Sequence, residues 1–121
     1  MLRSRKEAFT LVEIMIVVSI IALLALFAMP SMLRARETSQ KEVCINNLRQ
    51  IYGAKQQWAI ENFADNSAMP GMDDLAPYIK GGLGNCFCPA DPNRTFGNSY
   101  DIADMATDPK CKILPGSHQF D

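Results

Sequence analysis

Residues 9–29 read FTLVEIMIVVSIIALLALFAM, almost wholly apolar with one charge, Glu13. At 1.5 Å of rise per residue a helix of this length spans roughly 30 Å, the hydrocarbon thickness of a bilayer. A removable secretory signal has a shorter apolar core, of about 7–15 residues, and ends at small residues. This run is longer and ends in Met29-Pro30-Ser31, without an Ala-x-Ala site. The processing point falls instead before the run, at Ala8-Phe9, where cleavage removes a charged leader and keeps the helix. The stretch therefore reads as a retained anchor.

The chain has 121 residues, so the part outside the apolar run is a small domain that buries a thin core. Such a domain often needs cross-links or a partner. The overall net charge is -1; the leader, with Arg3, Arg5, Lys6 and Glu7, stands at +2, which leaves -3 from Phe9 onward. A nucleic-acid binder would carry a basic face, and none is present. The basic leader suits a cytoplasmic side, with the C-terminal part outside the inner membrane.

The spacing predicts a helix from Phe9 through Ser19, whose hydroxyl can bond a carbonyl one turn earlier. Pro30 predicts a kink near Leu26–Pro30, not a stop, because a helical pattern resumes at once. Over residues 31–63, Cys44, Leu48, Ile51, Tyr52, Trp58, Ala59 and Phe63 form one apolar stripe at helical spacing. Trp58 reads as core. Gly53 weakens this helix without breaking it. After Phe63 the chain becomes rich in turn residues. Asp73 or Asp74 caps a short helix including Leu75 and Tyr78. Gly81, Gly82 and Gly84 mark a turn. Short strands are expected around Ser99–Ile102 and Lys112–Leu114, in a small antiparallel sheet.

The block Ala8-Phe9-Thr10-Leu11-Val12-Glu13-Ile14 and its apolar run resemble the prepilin-type cleavage and methylation motif. That motif is shared by type IV pilins and the pseudopilins of type II secretion systems. The resemblance covers roughly residues 1–30 closely and continues more weakly through the helix to residue 63. It implies cleavage between Ala8 and Phe9 by a membrane-embedded prepilin peptidase and N-methylation of Phe9. This chain has Ala8 where the family usually has glycine; alanine is the next smallest residue for a tight peptidase pocket. The resemblance further implies a filament of copies and related pilins, built on an inner-membrane assembly platform.

The residues support that mechanism by a separate route. A carboxylate within a membrane is costly and usually marks function. Glu13 lies four residues after Phe9, on the same side of a helix. In a filament of parallel helices, Glu13 of one subunit can meet the freed Phe9 amine of the next, and low-dielectric surroundings strengthen the attraction. Ala22, Ala25 and Ala28 permit close helix approach.

Four cysteines in an exported domain read first as disulfides. Cys86 and Cys88 are too close to favour each other, so one is expected to bond Cys44 and the other Cys111. Cys44–Cys86 with Cys88–Cys111 is preferred, each bridge contributing ~2–4 kcal/mol. The rival is zinc held by Cys86, Cys88, Cys111 and His118, although Cys-x-Cys departs from the usual spacing. His118 otherwise reads as a surface residue, and no metal is the primary expectation. Some major pseudopilins bind calcium in a C-terminal loop; the candidates here are Asp91, Asn93, Asp101, Asp104 and Asp108, with oxygen ligands that suit the ion. The spacing matches no known loop, so no cofactor is expected and calcium stays a candidate. No catalytic set is visible.

The expected fold is α+β: residues 1–8 a leader, 9–30 a membrane or filament-core helix, 31–63 an amphipathic helix and 64–121 a disulfide-tied head. The expected function is structural, a pilin-like subunit of a secretion pseudopilus or pilus-like filament, the small head favouring the pseudopilus. The alternative is a monomeric, membrane-anchored extracytoplasmic binding module.

Overall fold

The computed structural model describes residues 8–119. The leader, apart from Ala8, lies outside the described residues. One long helix, α1 (Leu11–Asn62), is followed by a series of short elements. The chain divides into two compact units, one ending at Arg36 and one beginning at Glu37, so α1 contributes to both. The fold is α+β, as the sequence indicates.

In the first unit α1 begins at Leu11, two residues later than expected, and Phe9 precedes the helix. Thr10 provides the reason. Its hydroxyl accepts the Glu13 N–H at 3.2 Å, and the Glu13 carboxylate accepts the Thr10 N–H at 3.1 Å. This reciprocal pair satisfies donors that a helix start leaves without partners. Farther along, the Ser19 hydroxyl donates to the Met15 carbonyl at 2.7 Å, the back-bond expected there. The helix continues through Pro30. Its apolar side chains from Phe9 to Leu33 are all exposed.

The second unit is built on one stripe of α1. Cys44, Leu48, Ile51, Ala54 and Lys55 are buried there, and Trp58 packs half-buried against the same core. The spacing of 44, 48, 51, 55 and 58 follows the helical repeat. Two members of the expected stripe are corrected. Tyr52 faces out, and Phe63 is 96% exposed. Phe63 follows the last helical residue with φ of 51°, in the left-handed region, while the Ala64 N–H donates to the Ala59 carbonyl at 3.0 Å. That six-to-one bond closes the helix end and turns the Phe63 side chain away from the stripe.

Beyond it, α2 (Met72–Leu75) runs into a 3-10 turn, Ala76–Tyr78, where Pro77 limits further helix. Asp74 caps α2 by accepting the Gly71 N–H at 2.8 Å, reaching back from inside the helix. Gly81 and Gly82 take φ of 83° and 77°, which only glycine adopts at little cost. Helix α3 (Phe96–Ser99) leads into β1 (Tyr100–Asp101), paired antiparallel with β2 (Lys110–Cys111) in the register Tyr100↔Cys111 and Asp101↔Lys110. The second strand lies just before the expected Lys112–Leu114. Leu75, Ile79, Phe96, Tyr100 and Ile102 close over the stripe, and the Phe96 and Tyr100 rings meet edge to face at 5.7 Å.

A Cβ added at Gly53 meets nothing within 4 Å, and the residue is exposed in the middle of α1. Gly53→Ala should therefore stabilise the second unit by up to ~1 kcal/mol, read as a higher denaturation midpoint in urea; a lower midpoint would contradict the helical environment described.

Candidate functional site

The N-terminal residues singled out by the sequence sit together at the start of α1. Ala8 and Phe9 are exposed and outside any helix or strand, directly before the Thr10 cap. Glu13 is the only acid in the first turn of α1, and an acid there is favoured by the partial positive charge of a helix start. From Leu11 the helix holds an 18-residue window of mean hydropathy 2.9 with none of it buried, long and apolar enough to cross a membrane.

The second unit holds a different cluster. Cys44 from α1, Cys88 from the segment before α3, Cys111 from β2 and His118 from the tail bring their ligand atoms within 4.8 Å of one another, and all four are buried. Cys88 and Cys111 sulfurs stand 3.7 Å apart; His118 Nδ1 is 3.5 Å from Cys88 and 4.0 Å from Cys111. Among the described residues this is the one group of three or more His, Cys, Asp or Glu side chains that converges in this way. All four cysteines carry free thiols.

This arrangement departs from the sequence reading in three respects. Cys44 gathers with Cys88 and Cys111, not with Cys86 as preferred for a bridge. Cys44 also replaces Cys86 in the rival metal quartet. His118 is 3% exposed and not a surface residue. Cys86 is buried as well, but its sulfur is not among the four ligand atoms that converge. The Phe87 carbonyl is held by the Asn47 side-chain amide at 3.0 Å, and the same amide donates to the Tyr100 hydroxyl at 3.0 Å.

Burial raises the Cys44 thiol well above its ordinary range, with the neighbouring Cys88 and Cys111 thiols adding to the effect. Burial likewise raises Cys88, and pushes Cys86 up to about 11. Three contacts oppose this by favouring thiolate: the Tyr100 hydroxyl on Cys44, and the Ala90 N–H and the Cys44 thiol on Cys88. His118 is lowered by burial and by the nearby Lys41 charge, which favours neutral imidazole.

Two of the calcium candidates, Asp91 and Asp101, bind groups of their own chain. Asp91 is buried and accepts from the Asn93 and Thr95 N–H groups, the Asn98 amide and the Ser99 hydroxyl, at 2.7–3.2 Å. Burial would raise this carboxyl, but the four donors outweigh it and hold it down to about 2. Asp101 accepts the Ala103 N–H at 3.2 Å and turns the chain after β1. Asn93 and Asp108 are exposed. These residues do not converge among the described residues.

Sequence reading missed Lys55. Its side chain is 1% exposed, and its Nζ donates to the carbonyls of Ile102, Asp104 and Thr107 at 2.8, 2.6 and 2.7 Å. Burial lowers the ammonium, while the charges of Asp104, Asp108 and Asp101 oppose that shift. An ammonium has three donors, and all three are used. The loop that could have turned its carbonyls toward a bound cation turns them toward this lysine.

The comparisons with known proteins agree with the geometry at the start of α1. Residues 3–29 match the family model for the prokaryotic N-terminal methylation motif. Type II secretion system core protein G of Pseudomonas aeruginosa is 31% identical over 75 residues, covering 62% of this chain and 53% of that protein. Type II secretion system core protein G of Escherichia coli K12 is 27% identical over 124 residues, covering 94% of this chain and 76% of that protein. Type IV major pilin protein PilA of Myxococcus xanthus is 37% identical over 57 residues, covering 47% of this chain and 26% of that protein. The chain therefore spans about half the length of the Pseudomonas relative and a quarter of the Myxococcus one. No solved structure matches it significantly. The chain thus carries the prokaryotic N-terminal methylation motif and is similar to two type II secretion core proteins and to a type IV major pilin.

Two predictions follow from the loop-binding residues. Lys55→Met leaves three inward carbonyls without their donor and should cost on the order of 3 kcal/mol, measured by urea denaturation of the full chain in detergent; a loss below about 1 kcal/mol would show that the loop is held by other means. For Asp91, the folded carboxyl lies near 2 and the unfolded one near 4. Between those values the unfolded chain binds more protons, so Asp91's contribution is complete above about pH 4 and fades as pH falls towards 2. Denaturation midpoints of wild type and Asp91→Asn across this range should converge as the solution is acidified.

Proposed function

We propose that the chain is a structural subunit that assembles through α1 into a type II secretion pseudopilus or a related pilus-like filament. The observation that carries this reading is the exposed apolar surface from Phe9 to Leu33, with Glu13 as its one charge up to that point. A surface of that size in water would drive aggregation. In lipid it is at ease, and in a filament it packs against the same surface of other copies. The similarity to two type II secretion core proteins favours the secretion pseudopilus, as does the small head.

On this reading the precursor sits once across the inner membrane with residues 37–119 outside. A prepilin peptidase cuts between Ala8 and Phe9 and methylates the new amine on Phe9. Glu13 then attracts that amine on a neighbouring subunit and sets the register between helices. An inner-membrane assembly platform supplies the energy for polymerisation. The role is mechanical, without catalysis.

The capping pair lets one substitution separate two roles of Glu13. Glutamine at this position still accepts the Thr10 N–H, so Glu13→Gln keeps the helix start and loses only the charge. Expressed with its secretion apparatus, Glu13→Gln should insert in the membrane and show the wild-type processed mass, beginning at Phe9. It should yield at least tenfold fewer filaments in sheared fractions. Wild-type filament yield from this variant would remove the charge from the assembly mechanism; an unprocessed wild-type chain with residues 1–8 intact would remove the proposed maturation.

A further inference from the structure

We propose that Cys44, Cys88, Cys111 and His118 form a closed tetrahedral zinc site that holds the head together. Nothing in filament assembly requires this cluster, and the proposal stands independently of that reading.

The distances carry the argument. Zinc binds sulfur at about 2.3 Å and imidazole nitrogen at about 2.0–2.1 Å in tetrahedral geometry. Those bond lengths place two sulfurs about 3.8 Å apart and sulfur and nitrogen about 3.5 Å apart. The cluster has Cys88 and Cys111 sulfurs at 3.7 Å and His118 Nδ1 at 3.5 and 4.0 Å from them. A disulfide would draw two sulfurs to about 2.05 Å and leave the third thiol and the imidazole without a function. All four ligand atoms lie within 4.8 Å of one another and come from four separate parts of the chain, so a closure of about 1 Å at most would set them on one tetrahedron.

The chemistry of the donors points the same way. Three soft sulfurs and one imidazole suit zinc, and complete burial leaves no open position for a substrate, which marks a structural site. The Ala90 N–H on Cys88 and the Tyr100 hydroxyl on Cys44 are donors directed at sulfur, the outer contacts that stabilise coordinated thiolates. The Cys88 carbonyl accepts the Asp91 N–H at 2.9 Å, closing a turn through Pro89 that fixes this ligand. Three thiolates and Zn²⁺ sum to one negative charge. Lys41, which faces His118 as a repelling cation when the cluster is empty of charge, then faces an attractive centre. Cys86 takes no part.

The test is metal analysis of the full chain, purified in detergent from membranes without added metal or chelator. One zinc per chain is expected in wild type and in Cys86→Ser, and at least a tenfold loss in Cys44→Ser. His118→Cys keeps four ligands and addresses the case in which Cys44→Ser fails to fold. After cobalt exchange, wild type should show the visible bands of tetrahedral cobalt, and His118→Cys should raise the thiolate charge-transfer intensity by about a third. A metal-free wild type with Cys88 and Cys111 joined in a disulfide by peptide mass mapping would overturn the proposal. So would iron in place of zinc, or loss of zinc from Cys86→Ser equal to that from Cys44→Ser.

Discussion

The second unit depends on one wall. Among the described residues its two strands are two residues long each, and an isolated pair of that size has no independent stability. What holds the chain after Asn62 is the stripe from Cys44 to Trp58, against which Leu75, Ile79, Phe96, Tyr100 and Ile102 close. Each large apolar side chain buried there contributes roughly 1.5–3 kcal/mol. The regular helix provides the geometry that the irregular segments lack, and the turns need only be shaped to fit it.

Shaping those turns falls to polar side chains pointed inward. Lys55 gathers the carbonyls of Ile102, Asp104 and Thr107, and Asp91 gathers four donors between Asn93 and Ser99. The two act in opposite senses, one a cation collecting acceptors and the other an anion collecting donors. Buried charges persist when their hydrogen bonds are satisfied in this way. Together they fix the approaches to both strands of the sheet, and so place Tyr100 and Cys111 beside Cys44.

The α+β class, the apolar start of α1 and most of its buried stripe were legible because they are periodic. So was the Ser19 back-bond, which is local. Lys55 was missed although it lies in the stripe, seven residues after Leu48 and four after Ile51, because a lysine reads as a solvent-facing residue until its carbonyl partners are known. Phe63 was misread in the other direction: its spacing suits the stripe, but the helix closes one residue earlier and a left-handed turn points it outward. The Thr10-x-x-Glu13 box was present in the sequence and was overlooked in favour of the role of Glu13 between subunits. His118 and the choice of Cys44 over Cys86 depend on contacts between segments up to 74 positions apart, and periodicity carries no information at that range.

The Thr10–Glu13 cap has a bearing on how such a helix waits in lipid. A carboxylate without hydrogen-bond partners is costly in lipid and would tend to pull the helix towards the headgroups. Here one oxygen already holds a main-chain N–H of its own subunit. A solitary helix thus keeps its acid partly sheltered, and in the proposed filament a neighbour's amine would have to offer more than that internal bond does. In the assembly proposed above, that internal bond would make idle subunits less prone to indiscriminate pairing.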